Sequence, residues 1–488
     1  MKEIKIVDTT IRDAHQSLWA TRMTTPMMIP MLEKLKNAEY DTVDLMAMVH
    51  FDACVRYLRE DPWERIRIVS KALQGGPRVG GWIRSGLFGF DVAPDDIREL
   101  FIEKMVDNGI NRIAAFDGLL DVDNLAKPLI HAKKLGAYTV AALVFCDSPL
   151  HTDKLYVSKT IELLEKVKVD AVMIKDAGGL LTPERVRTLV PALKQILGDI
   201  PLELHSHCST GLAPVVYLEG VKHGADVIHT AVSALANDIS NPSIQTIAKN
   251  LRDLNYQVNV NDQLIHEIDH YFREVAAQEG FPLGKPKEYD SFHYKHQIPG
   301  GMLTNMYYQL EQAGIRDRQE EVLEEISIIR EELAYPIMVT PFSQFVGTQA
   351  VLNVLHGERY KFVPNEIKKY AQGYYGQLMA PIDENLLDKI IGNETSLLAE
   401  ETKPAKRILP ELRRQFPNMT DEEMLLRYIV KGNHVDEMKK AGPISQEPYE
   451  VTPKNAPTIT NILAQITKSK EMRYFHIKSD TIKLEIGK

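Results

Sequence analysis

The chain has 488 residues, 44% of them hydrophobic and 26% charged, with a formal net charge of -9. That size and balance describe a soluble globular chain longer than one typical domain and able to bury a large core. The acidic balance argues against nucleic acid or an anionic membrane as partner, and no apolar run is long enough to span a bilayer. The three cysteines, Cys54, Cys146 and Cys208, are far apart and odd in number, which fits a reducing compartment without disulfides. No basic segment followed by an apolar run opens the chain, so the expected location is the cytoplasm.

From residue 4 to about 250, short apolar runs alternate with longer amphipathic stretches. The predicted strands are IKIV (4–7), TVDLM (42–46), VGGWIR (79–84), RIAAF (112–116), TVAALVF (139–145), AVMI (171–174), LELH (202–205) and DVIHTAV (226–232). Between them lie helix-like segments such as PDDIRELFIEKMVDNG and DKLYVSKTIELLEKV, with apolar residues three and four apart. Eight strand–helix units predict an α/β (β/α)8 TIM barrel over residues 1–260. A doubly wound open sheet is the alternative, but no Gly-rich dinucleotide fingerprint follows strand one. Beyond 260 the strands stop, and DQLIHEIDHYFREVAAQ, GGMLTNMYYQLEQAG and EEVLEEISIIREEL predict a helical domain over 261–405 that completes the active site. Residues 406–488 read as an extension offering a partner contact or packing on the surface. It holds one helix (TDEEMLLRYIVKG), a linker at 441–457 and a terminal strand pair (FHIKSDTIKLEIGK).

Chemistry concentrates at the ends of the predicted strands, which in a barrel face the active site. Strand one runs into DTTIRDAHQS (8–17), strand six ends in MIKDAGG with Lys175, and strand seven ends in LHSHCSTG. His205 and His207 are two apart, so in an extended chain both rings point to the same side and form half of a metal site. A lone His-x-His is as often a surface pair, but Asp13 at the rim of strand one and Lys175 at the rim of strand six tip the balance toward a metal. Cys208 should face away. A lysine ammonium beside a cation is electrostatically wrong. Lys175 is therefore deprotonated or carries CO2 as a carbamate, unless it pairs with Asp176 or Asp13; the residues alone leave this open. Nitrogen and oxygen ligands without thiolate suit a divalent metal, with Zn2+ the first choice and Mn2+ or Co2+ the others.

The stretches DTTIRDAHQSLWATRM, FDACVRYLREDPWERIR, MIKDAGGLL, LHSHCSTG, HQIPGGMLTN and MVTPFSQFVGTQAV, in that order, resemble the carboxyltransferase family of biotin-dependent enzymes. That family includes the carboxyltransferase domain of pyruvate carboxylase, the alpha subunit of oxaloacetate decarboxylase and the 5S subunit of transcarboxylase. The resemblance implies transfer of CO2 between carboxybiotin and a 2-oxo acid through a metal-stabilised enolate. It implies Asp13, a carboxylated Lys175, His205 and His207 as metal ligands. Arg12 and Gln16 resemble the pair that holds the 2-oxo acid, and Arg84 the arginine that meets the substrate carboxylate. Thr340 resembles the threonine that moves a proton between biotin and the enolate, and Ser343 and Gln344 stand where biotin contacts fall. Asp8 is expected to support the turn and His15 to make a structural hydrogen bond. Biotin is expected on a separate biotin carboxyl carrier protein, because no Ala-Met-Lys-Met occurs. A biotin carboxylase or a membrane decarboxylase subunit is a further expected partner, and a homodimer the expected assembly.

The sequence departs from the family's pattern near the substrate. Met46-Ala47-Met48-Val49-His50 stands where Trp-Gly-Gly-Ala-Thr is usual, and Ala114 or Ala115 replaces an arginine. Added volume at Met48, and a hydrogen bond or charge at His50, would favour a substrate other than pyruvate or oxaloacetate. The altered pocket also supports an alternative, a biotin-independent metal-dependent decarboxylase, aldolase or lyase. A non-catalytic scaffold is a third reading, against which the intact ligand set argues.

Overall fold

A computed structural model of the protein describes residues 1–88, 91–312, 314–392, 407–451, 474–478 and 483–487. All eight predicted strands form, as β1 (Lys5–Asp8), β2 (Thr42–Ala47), β3 (Arg78–Arg84), β4 (Arg112–Phe116), β5 (Tyr138–Val144), β6 (Ala171–Asp176), β7 (Leu202–Ser206) and β8 (Val227–Thr230). Each is parallel to the next, and β1 pairs with β8 to close the barrel. The crossover helices start where the sequence supplies caps. Asp61, Thr152 and Thr182 accept from the backbone N–H groups of Trp63, Leu155 and Arg185 at the heads of Pro62–Leu73, Asp153–Lys166 and Pro183–Leu197, satisfying donors that a helix leaves open.

The barrel interior divides into two parts. Toward β3–β6 it is apolar, with Trp82, Ala114, Val140, Ala142, Ala171 and Met173 packed together. Toward β2, β4, β7 and β8 it is polar, holding Asp44, Arg112, Glu203 and His229, each at most 2% exposed. Gly80 makes room for this second part: a Cβ there would stand 2.1 Å from Asp44 Oδ1.

The helical region has its own core. Leu87 and Leu119, from the loops after β3 and β4, join Ile298, Ile326, Phe342 and Phe345 from the helical part. Gly118 lies so close to Phe342 that a Cβ would come within 2.6 Å of its ring, which seats the helix Phe342–His356 against the barrel mouth. The helix Asp262–Glu279 packs differently from the expected domain limit. Its Ile265, Ile268, Phe272 and Val275 belong to the barrel core, because its apolar stripe lies on the barrel wall. The extension also packs inward: Leu425 and Leu426 from Asp421–Ile429, Val430 just after it and Val435 from His434–Ala441 join the same core, and Trp63 Nε1 donates to the Glu422 carbonyl at 3.2 Å. That face is therefore occupied by the chain itself. The terminal strand pair forms, with Tyr474–Lys478 antiparallel to Lys483–Gly487, while residues 452–457 of the expected linker lie outside the described residues. No described helix is long and apolar enough to cross a membrane.

Gly80→Ala should lower stability by about 1–3 kcal/mol through overpacking against Asp44. Denaturant unfolding checks this; an unchanged midpoint would show that the polar interior yields freely.

Candidate active site

At the end of β1 the chain turns on Asp8, which accepts from the backbone N–H and hydroxyl of Thr10 at 3.2 and 2.6 Å. This is the supporting role expected of it. Burial pushes its carboxyl up to about 7 against those hydrogen bonds. The turn leads into a short, wide π-helical turn, Thr10–Ala14, which carries Asp13 to the barrel mouth. Asp13 Oδ2 lies 2.9 Å from His205 Nε2 and 3.0 Å from His207 Nε2, and the two ring nitrogens are 3.2 Å apart. Donors around an ion bound at about 2.0–2.2 Å stand roughly 3.0–3.6 Å from one another, so these three fit a divalent cation. Burial opposes the charge on Asp13, but Arg12 and His207 outweigh it and hold the carboxyl well below the usual range. Burial likewise keeps His205 far below the usual imidazole value, in the neutral form that a metal requires. Cys208 faces elsewhere, toward Asn237 at 4.0 Å, as expected.

Lys175 pairs in register with His205 across β6 and β7, so the fourth expected ligand starts beside the second. Its ammonium lies 5.5 Å from the Trp82 ring centre and 5.2 Å from that of Phe116. Burial pushes its pKa down to about 8, against the pull of Asp13. Asp176 is not its partner, since that carboxylate accepts from Leu180 N, Leu181 N and Ser206 Oγ at 2.7–2.9 Å.

Arg12 is buried, and its terminal nitrogens are both occupied: Nη1 meets Asp13 Oδ1 at 2.9 Å and Nη2 meets Asp44 Oδ2 at 3.1 Å. Its guanidinium covers the Trp82 ring at 4.7 Å. Arg12 thus holds Asp13 in place. Its Nε, together with Oε1 of Gln16 one turn on, is buried without a hydrogen-bond partner. His15 packs edge-on against His50, with ring centres 5.1 Å apart. Its nitrogens make no hydrogen bond of ordinary geometry, and a looser contact with the Ile11 backbone is what remains of the expected structural hydrogen bond.

The departures take on a different meaning in the fold. His50 is fully buried; its Nε2 bonds the Arg12 carbonyl at 3.1 Å and its Nδ1 accepts from Ala47 N at 3.2 Å. Burial, reinforced by Arg12 and Arg65, pushes its pKa down to about 3. The expected charge for a second substrate carboxylate is therefore absent. Met48, 8% exposed, belongs to the barrel core. Ala114 is the inward alanine and packs on Trp82. An arginine is still present, two residues earlier on the same strand face, as Arg112.

Arg84, at the end of β3, reaches the helical region: Nη1 donates to the Thr340 carbonyl at 3.2 Å. Burial lowers its pKa to about 10. Thr340 and Gln344 are exposed at the start of the helix Phe342–His356, and Ser343 is buried. The structure thus brings Asp13, His205 and His207 together, sets Lys175 on the neighbouring strand and ties Arg84 to Thr340. Asp44, Trp82, Arg112, Glu203 and His229 were not anticipated. Their signal was present: Glu203 is two residues before His205 and therefore on the same strand face, and charged residues inside short barrel strands call for partners.

A closed parallel barrel with a carboxylate–bis-imidazole cluster at its carboxyl-terminal mouth defines a metal-site enzyme of the TIM-barrel class. A domain family described as a conserved carboxylase domain matches residues 294–471, and one described as HMGL-like matches residues 122–271. A pyruvate carboxylase subunit of Methanocaldococcus jannaschii is 41% identical over 409 residues, covering 84% of this chain and 71% of that protein. The methylmalonyl-CoA carboxyltransferase 5S subunit of Propionibacterium freudenreichii subsp. shermanii is 32% identical over 435 residues, covering 87% and 85%. The fold matches the carboxyl transferase domain of Rhizobium etli pyruvate carboxylase, solved with pyruvate, at a TM-score of 0.82 and 24% identity over 92% of this chain and 78% of that one. The chain belongs to the carboxyltransferase family of biotin-dependent enzymes.

The folded protein holds the Asp8 proton up to about pH 7, whereas the unfolded chain releases it near 3.8. The unfolded state binds fewer protons in that window, so this contribution to stability falls as pH rises through it. Asp8→Asn keeps an acceptor for Thr10 and should flatten the decline between pH 4 and 7. Denaturant midpoints across that range check this; parallel curves for the two proteins would contradict it.

Proposed function

We propose that the protein moves CO2 between carboxylated biotin, delivered by a separate carrier chain, and a 2-oxo acid of the pyruvate or oxaloacetate type. The observation that carries this reading is the convergence of Asp13, His205 and His207 at a mouth where Arg84 meets the Thr340 loop. A bound divalent cation, Zn2+ by the donor chemistry, would polarise the 2-oxo carbonyl as a Lewis acid. Asp13, Lys175, His205 and His207 would hold it. An amine whose pKa is pushed down to about 8 keeps a far larger neutral fraction at physiological pH than an ordinary lysine, and the neutral amine is the form that adds CO2, with release of a proton, to give a carbamate ligand.

The chain's own residues divide the remaining work. Arg12 Nε supplies an unspent donor suited to the 2-oxo acid's oxygens, and the side-chain amide N–H groups of Gln16, one turn on, are donors of the same kind. Arg84 presents a guanidinium for the substrate carboxylate, a geometry a lysine matches less well. Thr340 Oγ1 relays a proton between the biotin nitrogen and the substrate carbon; a neutral hydroxyl does this without competing for the metal. Ser343 and Gln344 flank the same helix start and address the biotin ring. His50 presents no charge to the pocket and Met48 is packed in the barrel core, which is compatible with pyruvate or oxaloacetate as substrate. The assembly fitting this reading is a cytoplasmic homodimer working with a biotin carrier and a biotin carboxylase or membrane decarboxylase subunit.

The test is CO2 release from oxaloacetate, or its transfer to pyruvate, with and without a biotinylated carrier. Stimulation by the carrier and loss on chelation are expected. Turnover indifferent to biotin would overturn the reading in favour of a metal-dependent lyase. Thr340→Ala should lower kcat by about 10²–10⁴-fold, with Thr340→Ser retaining most of it. Equal losses in the two variants would remove the proton-relay role. His205→Ala should lose the metal by elemental analysis; retention at wild-type stoichiometry would reject the ligand set.

A further inference from the structure

Two of the candidate ligands, Asp13 and His205, belong to a closed ring of buried side chains. From Asp13 the path runs to His205, whose Nδ1 lies 3.2 Å from His229 Nδ1; His229 Nε2 lies 2.8 Å from Glu203 Oε2. Glu203 accepts from Arg112 Nη2 at 2.5 Å, and Arg112 Nη1 approaches Asp44 Oδ1 at 3.4 Å. Asp44 also accepts from Trp82 Nε1 at 2.8 Å and meets Arg12, which returns to Asp13. Every member of this ring is at most 4% exposed.

The ring's protons can be followed atom by atom. Nε2 of His205 faces Asp13 and His207, so a bound cation takes its lone pair and the ring's only proton sits on Nδ1. That proton needs an acceptor, and His229 Nδ1 is the atom in place. With Nδ1 accepting, the proton of His229 sits on Nε2 and is donated to Glu203. Arg112 holds the Glu203 carboxylate in its ionised form. The ring also counts three carboxylates against two guanidiniums, an excess of one negative charge that a cation offsets.

We propose that His229 and Glu203 are positioning residues that fix the tautomer and ring orientation of His205 for a divalent cation. This rests on the metal-site reading above. Partners that orient a ligating histidine change metal affinity by about 10–100-fold when removed, although they never touch the ion.

The experiment strips the protein with chelator and measures Zn2+ affinity by competition with a chromophoric chelator, with thermal unfolding of the apo forms as the check on folding. His229→Phe keeps a ring beside His205 and Trp82 but offers no acceptor. Its Kd should rise about 10–100-fold. His229→Asn places a carbonyl oxygen where Nδ1 stood and should remain within about threefold of wild type, since the acceptor for His205 is retained. A second variant, Arg112→Met with Glu203→Leu, removes both charges together and should weaken binding at least tenfold; it carries the test where His229→Phe does not fold. Wild-type affinity in His229→Phe, or in the double variant, would overturn the proposal. Equal weakening in the Phe and Asn variants would overturn it too, by showing a packing effect. A wild type that binds no Zn2+ would overturn the metal-site reading and the proposal with it.

Discussion

The barrel mouth is organised by one crowded contact. Asp13 Oδ2 stands within 3.0 Å of two imidazole nitrogens that themselves lie 3.2 Å apart. Three lone-pair donors at that spacing, buried from water, are costly unless something electron-poor sits among them. The surrounding structure serves to keep them there. Asp8 turns the chain after β1 so that Asp13 arrives at the rim, Arg12 clamps the other oxygen of Asp13, and β7 carries His205 at its end with His207 just beyond it. The placement of Lys175 follows from the same strand register, which sets it directly across from His205.

Beneath the mouth, the polar interior explains features that look like substitutions in a pocket wall. Ala114 is small because Trp82 lies against it. Arg112 is available two residues earlier to join Asp44 and Glu203. Gly80 has no side chain because Asp44 occupies the space one would need. His50 is buried because its ring bridges the Arg12 carbonyl and the Ala47 N–H. These residues act on the ligands through Arg12 and His205. At the mouth itself, Arg84 and Thr340 join the barrel to the helical region.

The barrel was legible from the sequence because each strand is a short apolar run with helical periodicity on both sides, and the limits differ by at most two residues. The cluster of Asp13, His205 and His207 was legible because the two histidines share strand parity and Asp13 follows strand one to the same end of the barrel. The domain limit near 260 was set where strand patterns cease, but Asp262–Glu279 spends its apolar stripe on the barrel. Periodicity identifies such a stripe and does not say what it meets. His50 was misread for a related reason: a histidine next to a pocket motif looks like a substrate contact until its two ring nitrogens are seen to be taken. The ring through Arg112, Glu203 and His229 escaped notice because its partners come from strands far apart in sequence and meet only when the barrel closes.

The central claim is that Asp13, Lys175, His205 and His207 hold a divalent cation. X-ray absorption at the metal edge of the purified wild-type protein tests it most directly. Two imidazole nitrogens with oxygen donors at about 2.0–2.2 Å and no sulfur are predicted. A sulfur shell near about 2.3 Å, or no bound metal at all, would contradict the account.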